Sequence, residues 1–339
     1  MGLPSFFYKI ILSARSYVYK KGLKKPCTLP AKVISVGNLT LGGTGKTPLV
    51  ISIASELKER HYKPCVLTRG YKGRVKDTRL STHDIKAFSD AKCVGDEAAL
   101  MACRLGDIPV VKDKNRFLGG IFALGKLGTN AVDVFILDDG YQHWSLTRDM
   151  DILLIDASNP FGNGKLFPEG ILREPLESMN RADIIIITKT DMVPEDEKNL
   201  IKNKIKLYNP DVTVYMSYYE PASLVDVSGA LHPLGNLKNR KAYVFSALAN
   251  PYYFESMLKS QGIDIVKSRK FRDHHFYSQR DVSTIQKEAE GVNIITTEKD
   301  MVKLKELELP ENIYSLRVEF VIERDFYDRI ADIFPDKND

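Results

Sequence analysis

Val33-Ile34-Ser35-Val36-Gly37-Asn38-Leu39-Thr40-Leu41-Gly42-Gly43-Thr44-Gly45-Lys46-Thr47-Pro48 is the stretch from which the fold is read. A β-branched run closes on a glycine-rich turn, and Pro48 suits the first turn of a helix, so the local order is strand, loop, helix. Gly42, Gly43 and Gly45 let backbone N–H groups approach phosphate oxygens. The helix N-terminus adds positive potential, Lys46 reaches the outer phosphates, and the Thr47 hydroxyl can ligate Mg²⁺. Residues 42–47, Thr44 included, therefore read as a phosphate-binding loop. It departs from GxxxxGK[ST] at Thr40, where the leading Gly falls, and a glycine-rich turn of no function is the alternative.

Outward from the loop, further apolar runs end on polar residues: Val66–Thr68 into Arg69, Val134–Leu137 into Asp138, Ile152–Ile155 into Asp156, and Ile184–Ile187 into Thr188. Unbroken rather than alternating apolar runs indicate strands covered on both faces, and helical patterns at Pro48–Glu59 and Asp96–Arg104 separate several of them. This predicts an α/β fold: a P-loop NTPase-like, mostly parallel sheet flanked by helices. Such sheets bind ligands beyond the carboxyl ends of their strands. Val212–Tyr215, Tyr243–Phe245 and Asn293–Thr296 predict a second, smaller α/β lobe after the charged helix Glu195–Tyr208, with Val225–Lys241 a loop-rich connection. The expected division is 1–25, an amphipathic helix; 26–205, the P-loop core; and 206–339, the smaller lobe closing over the site.

Composition limits the classes. With 339 residues, 43% hydrophobic and 27% charged, the chain is an ordinary globular one, long enough for about two domains. A net charge of +5 is too small by itself to argue for nucleic acid as a partner. Four cysteines without a CxxC pair speak against a disulfide framework or zinc site and fit a reducing compartment.

Leu3–Lys25 carries Lys9, Arg15, Lys20, Lys21, Lys24 and Lys25 but no acidic residue, with Phe6, Phe7, Ile10, Ile11, Ala14, Tyr17 and Val18 at helical spacing. Lys9 and Arg15 interrupt both a signal sequence and a spanning helix. Two readings stand: a helix lying in a membrane interface, or one packed on the protein's own core.

Further chemistry gathers at three places. Phe135-Ile136-Leu137-Asp138-Asp139 delivers two carboxylates to the loop's edge of the sheet, one to hold Mg²⁺ and one to orient a neighbouring group; a turn or cap is the bland reading. Gln142 and His143 follow, within reach of substrate. Gly95-Asp96-Glu97 opens a helix, so Asp96 is either a cap or a general base for an attacking hydroxyl. Arg272-Asp273-His274-His275 holds histidines that can orient a carboxylate, bind a metal or sit on the surface.

Taken together, Gly37-Asn38-Leu39-Thr40-Leu41, Thr68-Arg69-Gly70-Tyr71, Gly95-Asp96-Glu97, Asp138-Asp139-Gly140-Tyr141-Gln142-His143, Leu172-Arg173-Glu174-Pro175, Phe271, Asp273, His274 and Thr297-Glu298-Lys299-Asp300 resemble the tetraacyldisaccharide 4′-kinase family of the lipid A pathway. The resemblance covers nearly the whole chain. It implies ATP- and Mg²⁺-dependent phosphorylation of the 4′-hydroxyl of an acylated glucosamine disaccharide 1-phosphate. It also implies a catalytic group of Asp96, His274, Lys46 and Asp139, with His275 the alternative to His274. Metal ligands would be Thr47, Asp138 and Glu97; substrate contacts, Gln142, His143 and Arg173. A lipid acceptor further implies a peripheral enzyme docked by its first helix on the cytoplasmic leaflet of the inner membrane, with no nucleic-acid partner. The competing class is a P-loop GTPase or metallochaperone-type switch, since Thr188-Lys189-Thr190-Asp191 resembles the [NT]KxD guanine motif; a membrane-binding module with a merely structural nucleotide site is a third.

Overall fold

The computed structural model describes residues 3–334. Met1, Gly2 and residues 335–339, at the outer ends of the first and last expected segments, lie outside the described residues, as do the side chains of Leu3, Pro4 and Lys20. The chain opens with α1 (Leu3–Lys20), β1 (Lys32–Asn38), α2 (Lys46–Glu59), β2 (Pro64–Thr68), β3 (Arg79–Leu80), α3 (Ile85–Ser89), α4 (Ala91–Val94), α5 (Asp96–Leu105) and β4 (Val110–Lys112). Then follow α6 (Arg116–Leu127), β5 (Val134–Asp138), β6 (Met150–Asp156), β7 (Ile184–Thr188), α7 (Glu195–Tyr208), β8 (Thr213–Asp226) and β9 (Leu231–His232). The rest is β10 (Lys241–Ser246), α8 (Pro251–Ser260), β11 (Asp264–Lys270), α9 (Gln279–Ala289), β12 (Asn293–Thr297), α10 (Glu298–Leu304), β13 (Ile313–Ile322) and α11 (Asp325–Ala331).

These elements form two compact units, each discontinuous in sequence. The first takes residues 1–69, 113–218 and 321–339, the second 70–112 and 219–320. A linear cut at residue 205 differs from this because folding assigns Gly70–Lys112 to the second unit, and apolar periodicity says nothing about which partner a buried face finds.

In the first unit a parallel sheet runs β8-β7-β6-β1-β5-β2. Every residue of β2, β5 and β7 is buried, as expected for strands covered on both sides. Val36 pairs with Asp138, so the strand that enters the glycine loop lies beside the strand that ends in the two carboxylates. Under one face, Leu153, Ile155, Ile185, Ile187, Ile201 and Ile205 pack into a core that also receives Tyr8 and Leu12 of α1.

Helix α1 ends at Lys20, not at residue 25, because Gly22 at φ 67° turns the backbone left-handed. Lys21, Lys24 and Lys25 therefore sit on the turn after the helix. One face of α1 is docked: Ser5 Oγ donates to the Leu166 carbonyl at 3.2 Å, the Tyr8 hydroxyl to that of Arg173 at 2.8 Å, and Arg15 to that of Gln142 at 2.7 Å. Phe6, Phe7, Ile10, Ile11 and Tyr17 point to solvent on the other. Among the described residues, no helix is long and apolar enough to cross a membrane.

The same unit is closed by its last helix. Tyr327 of α11 hydrogen-bonds Ser52 of α2, Asp328 pairs with Arg60 at 2.7 Å, Asp325 accepts from Tyr215, and Phe334 stacks on Tyr62 at 4.0 Å.

In the second unit, β11-β10-β12-β13 run parallel, with the hairpin of β8 and β9 beyond them. Alternation along β10 builds two cores: Tyr243 and Phe245 face Val282, Ile285 and Ala289 of α9, while Ala242 and Val244 face Phe254 and Leu258 of α8. The segment expected to be loop-rich holds only the end of β8, the short β9 and a 3₁₀ turn at Leu234–Leu237. All four cysteines are free thiols.

Candidate active site

The glycine loop spans the step from β1 to α2. Gly45, at φ 87°, is the N-cap of α2, and Gly42 stands at φ 114°, so both occupy backbone regions that side chains rarely adopt. Lys46 and Thr47 open the helix. Thr44 is buried, and its hydroxyl has no hydrogen-bond partner among the described residues, leaving a donor inside the loop for a ligand oxygen.

Lys46 Nζ donates to Asn38 Oδ1 at 3.1 Å and lies 3.4 Å from Asp139. Arg173 Nη1 reaches both oxygens of Asp139, at 2.9 and 2.8 Å. Burial pushes the Asp139 carboxyl up, but Lys46 and Arg173 outweigh it and hold it down at about 2. Asp139 itself has φ 53°, a strained value for a residue with a side chain, which bends the chain off β5 and turns the carboxylate toward both cations.

Asp138 is buried at the end of β5. It accepts from Thr68 Oγ1 at 2.8 Å, and its carbonyl accepts from Arg116 at 3.1 Å. Thr47 and Asp138 are the hard oxygen donors that Mg²⁺ prefers. Among the described residues no three His, Cys, Asp or Glu side chains gather into a metal cluster; Mg²⁺ is ordinarily held by one or two carboxylates together with phosphate oxygens and water.

Beside this group, Gln142 Nε2 donates to the Asn38 carbonyl at 2.9 Å, and His143 Nε2 lies 3.1 Å from Ser145 Oγ. Burial and then Arg116, Arg148, Arg15 and Arg69 push the imidazole of His143 down to about 4, so it is neutral at physiological pH. A cavity of about 870 Å³ opens here, under α1. Its walls include Tyr8, Leu12 and Arg15 of the helix and Arg69, Asp139 and Arg173 of the body, and lysines and arginines outnumber carboxylates along it.

The second unit brings Asp96 and His274 together across 178 positions of sequence. Asp96 is 2% exposed; its Oδ2 accepts from His274 Nδ1 at 2.8 Å and its Oδ1 from the Glu97 N–H at 3.0 Å. Gly95 is the N-cap of α5 and Asp96 its first residue, so the carboxylate steadies the first turn of the helix without being closed to a role as base. Burial raises the Asp96 carboxyl, but the hydrogen bond from His274 and the charge of Lys299 carry it below its ordinary value. Tyr71 covers the His274 ring at 5.4 Å. His275 instead stacks on Phe271 at 4.8 Å and points Nε2 at Asp281, 3.3 Å away.

Glu97, expected among the metal ligands, is the partner of Lys299 at 3.1 Å, and Lys299 also lies 3.8 Å from Asp96. Burial lowers the Lys299 ammonium, but Glu97, Asp96 and Asp273 together raise it above its usual value. Asn38, Thr68 and Lys299 lie within motifs that carry the family resemblance and Arg116 in none, and the sequence reading gives none of the four a role. Lys299 had a signal, the Glu-Lys-Asp run at the end of a strand, but nothing local says where its ammonium goes.

Comparison with known proteins places these features in company. The family model described as LpxK, tetraacyldisaccharide-1-P 4′-kinase, matches residues 3–335. A tetraacyldisaccharide 4′-kinase of Halothermothrix orenii is 35% identical over 333 residues, covering 92% of this chain and 86% of that one. One from Pelobacter propionicus is 36% identical over 94% of this chain and 87% of its own. Among solved structures, the crystal structure of the "apo" form of LpxK from Aquifex aeolicus in complex with ATP superposes with a TM-score of 0.80 at 34% identity, covering 98% of this chain and 97% of that one.

Proposed function

The chain belongs to the tetraacyldisaccharide-1-P 4′-kinase family, and from that membership we propose how its own side chains carry the reaction. The protein is an ATP-dependent kinase for the 4′-hydroxyl of an acylated glucosamine disaccharide 1-phosphate, a lipid A precursor. The switch-type GTPase alternative is not favoured, because relatives matching nine tenths of the chain or more are kinases.

Phosphoryl transfer asks for positioning and charge stabilisation more than for covalent chemistry. Residues 42–47 cradle the phosphates of ATP, with Lys46 on the group being transferred. Thr47 and Asp138 would hold Mg²⁺, which when bound neutralises charge on the phosphates. Asp139 sets the direction of Lys46 and, through Arg173, ties the loop to the wall of the cavity. Asp96 takes the proton of the attacking hydroxyl, with His274 fixing its carboxylate. Gln142, neutral His143 and Arg173 meet the sugar, and the basic cavity suits a phosphorylated headgroup. The outward face of α1 enters the cytoplasmic leaflet of the inner membrane, so that the acyl chains of the acceptor stay in lipid.

The Lys46–Asp139–Arg173 cluster carries this reading: two cations held on one carboxylate beside the glycine loop, where phosphate charge would be met. The test is incubation with γ-labelled ATP, Mg²⁺ and a disaccharide 1-phosphate in detergent. Label is expected at the 4′ position and lost in Lys46→Ala and Thr47→Ala; normal turnover in either folded variant at saturating ATP overturns the loop assignment.

A further inference from the structure

Thr188-Lys189-Thr190-Asp191, the motif that resembles a guanine reader, has a different use in this chain. Thr188 Oγ1 donates to the Thr44 carbonyl at 3.2 Å, and Lys189 Nζ donates to the Gly43 carbonyl at 3.1 Å. The same ammonium pairs with Asp156 at the end of β6. Lys189 is buried, at 5% exposure, and holds φ 57°. That backbone conformation is rare for a residue with a side chain and is kept only where surrounding contacts impose it. Thr190 Oγ1 supplies one such contact, donating to the Ser217 carbonyl at 3.0 Å.

A phosphate cradle works by turning N–H groups inward. The peptide unit is rigid and trans, so the carbonyl of Gly43 points opposite to the N–H of Thr44, and the carbonyl of Thr44 opposite to the N–H of Gly45. Whatever grips those two carbonyls aims those two donors. A glycine-rich segment needs such a grip, because glycine gives up more backbone freedom on ordering than any other residue. A Cβ built on Gly43 meets nothing within 4 Å, so side-chain packing does not supply it.

We infer that Lys189, with Thr188 and Asp156, is a positioning residue of the kinase reaction: it fixes the outward carbonyls of residues 43 and 44, and thereby holds the loop's N–H groups in the phosphate-binding orientation. An ammonium grips a carbonyl more strongly than a neutral donor, and Asp156 offsets the charge that burial would otherwise penalise. The inference rests on residues 42–47 being the phosphate cradle.

The test is the double variant Lys189→Met, Asp156→Asn, which removes both charges of the pair and keeps their volume, beside Lys189→Arg and Thr188→Val. Affinity for a fluorescent ATP analogue, KM for ATP, KM for the lipid acceptor and the melting temperature are measured for each. In the double variant, Kd and KM for ATP are expected to rise about tenfold, the worth of a charge-assisted hydrogen bond, with acceptor KM and melting temperature unchanged. Lys189→Arg should recover most of the loss, and Thr188→Val should shift ATP affinity in the same direction by less. Unchanged ATP affinity in the folded double variant overturns the inference, as does a parallel rise in acceptor KM. If the double variant does not fold, Thr188→Val decides, and parental ATP affinity there overturns it. Lys46→Ala is the control: if it binds ATP like the parent, the cradle reading fails rather than the brace.

Discussion

Replacing Asp96 by Asn keeps the volume and the oxygen that accepts from the Glu97 N–H, but an amide cannot take a proton. If Asp96 is the base, kcat falls about 100-fold or more, while ATP affinity and melting temperature stay near the parent's. Steady-state kinetics with a thermal melt separates the cases: near-normal kcat with an earlier melt leaves Asp96 a helix cap only. The residues that carry chemistry by type and spacing were legible at this scale. Asp138 ends β5 beside β1, Asp139 follows it, and Lys46 and Thr47 open the helix after the glycine loop, with Lys46 meeting Asp139. What was not legible is partnership across distance. Nothing near residue 274 tells which of two adjacent histidines turns to Asp96; the choice is made by φ 59° at His274, which sends neighbouring side chains different ways. Lys299 is hidden for the same reason, its carboxylates lying some 200 positions earlier in the chain.

Helix α9 shows what an element gains from its first turn. Ser278 Oγ accepts from the Asp281 N–H at 3.3 Å while the Asp281 carboxylate accepts from the Ser278 N–H at 2.9 Å, a reciprocal capping box that also draws in His275. Burial raises the Asp281 carboxyl, but the Ser278 hydrogen bonds and His275 outweigh it, and its folded value lies below the ordinary one. A depressed carboxylate stabilises the fold above its unfolded value and loses that contribution as pH falls through about 4 and below. Asp281→Ala should therefore cost about 1 kcal/mol near neutrality, and the difference from the parent should shrink toward pH 3. Urea melts of both proteins at the two pH values check the sign; a gap that widens in acid contradicts it. Strands were the most legible elements, because an apolar run buried on both faces leaves a continuous signature. The end of α1 was not, since the basic run continues past Lys20 to Lys25 while Gly22 stops the helix in geometry.

At the scale of the molecule, the first helix packs on the core with one face and leaves an apolar face exposed, and of its two readings only the one packed on the protein's own core is met by that packing. Tyr8 and Leu12 join the core of the first unit, and Phe6, Phe7, Ile10 and Ile11 remain outside. Deleting α1 would thus disturb packing along with the docking we propose, so the informative change is Phe7→Glu with Ile11→Glu. Vesicle co-sedimentation should drop sharply in that variant, with melting temperature unchanged. Gln at Lys21, Lys24 and Lys25 should weaken binding to anionic vesicles by about 1 kcal/mol per residue, a loss that salt erases. Binding at parental level by the Glu variant removes the anchor. The discontinuous units were beyond reach of the sequence, because the rule that neighbouring segments pack together fails at Gly70–Lys112. That discontinuity, with Tyr327, Asp328 and Phe334 clasping Ser52 of α2 and Arg60 and Tyr62 just beyond it, bears on how the protein is made. A ribosome delivers the glycine loop early, yet the helix that follows the loop keeps an unclasped flank until residues 325–334 have emerged, so the nucleotide-binding unit matures last although it is begun first. Nascent chains halted before that point carry the whole glycine loop on an unfinished body, with exposed apolar surface of the kind that chaperones bind.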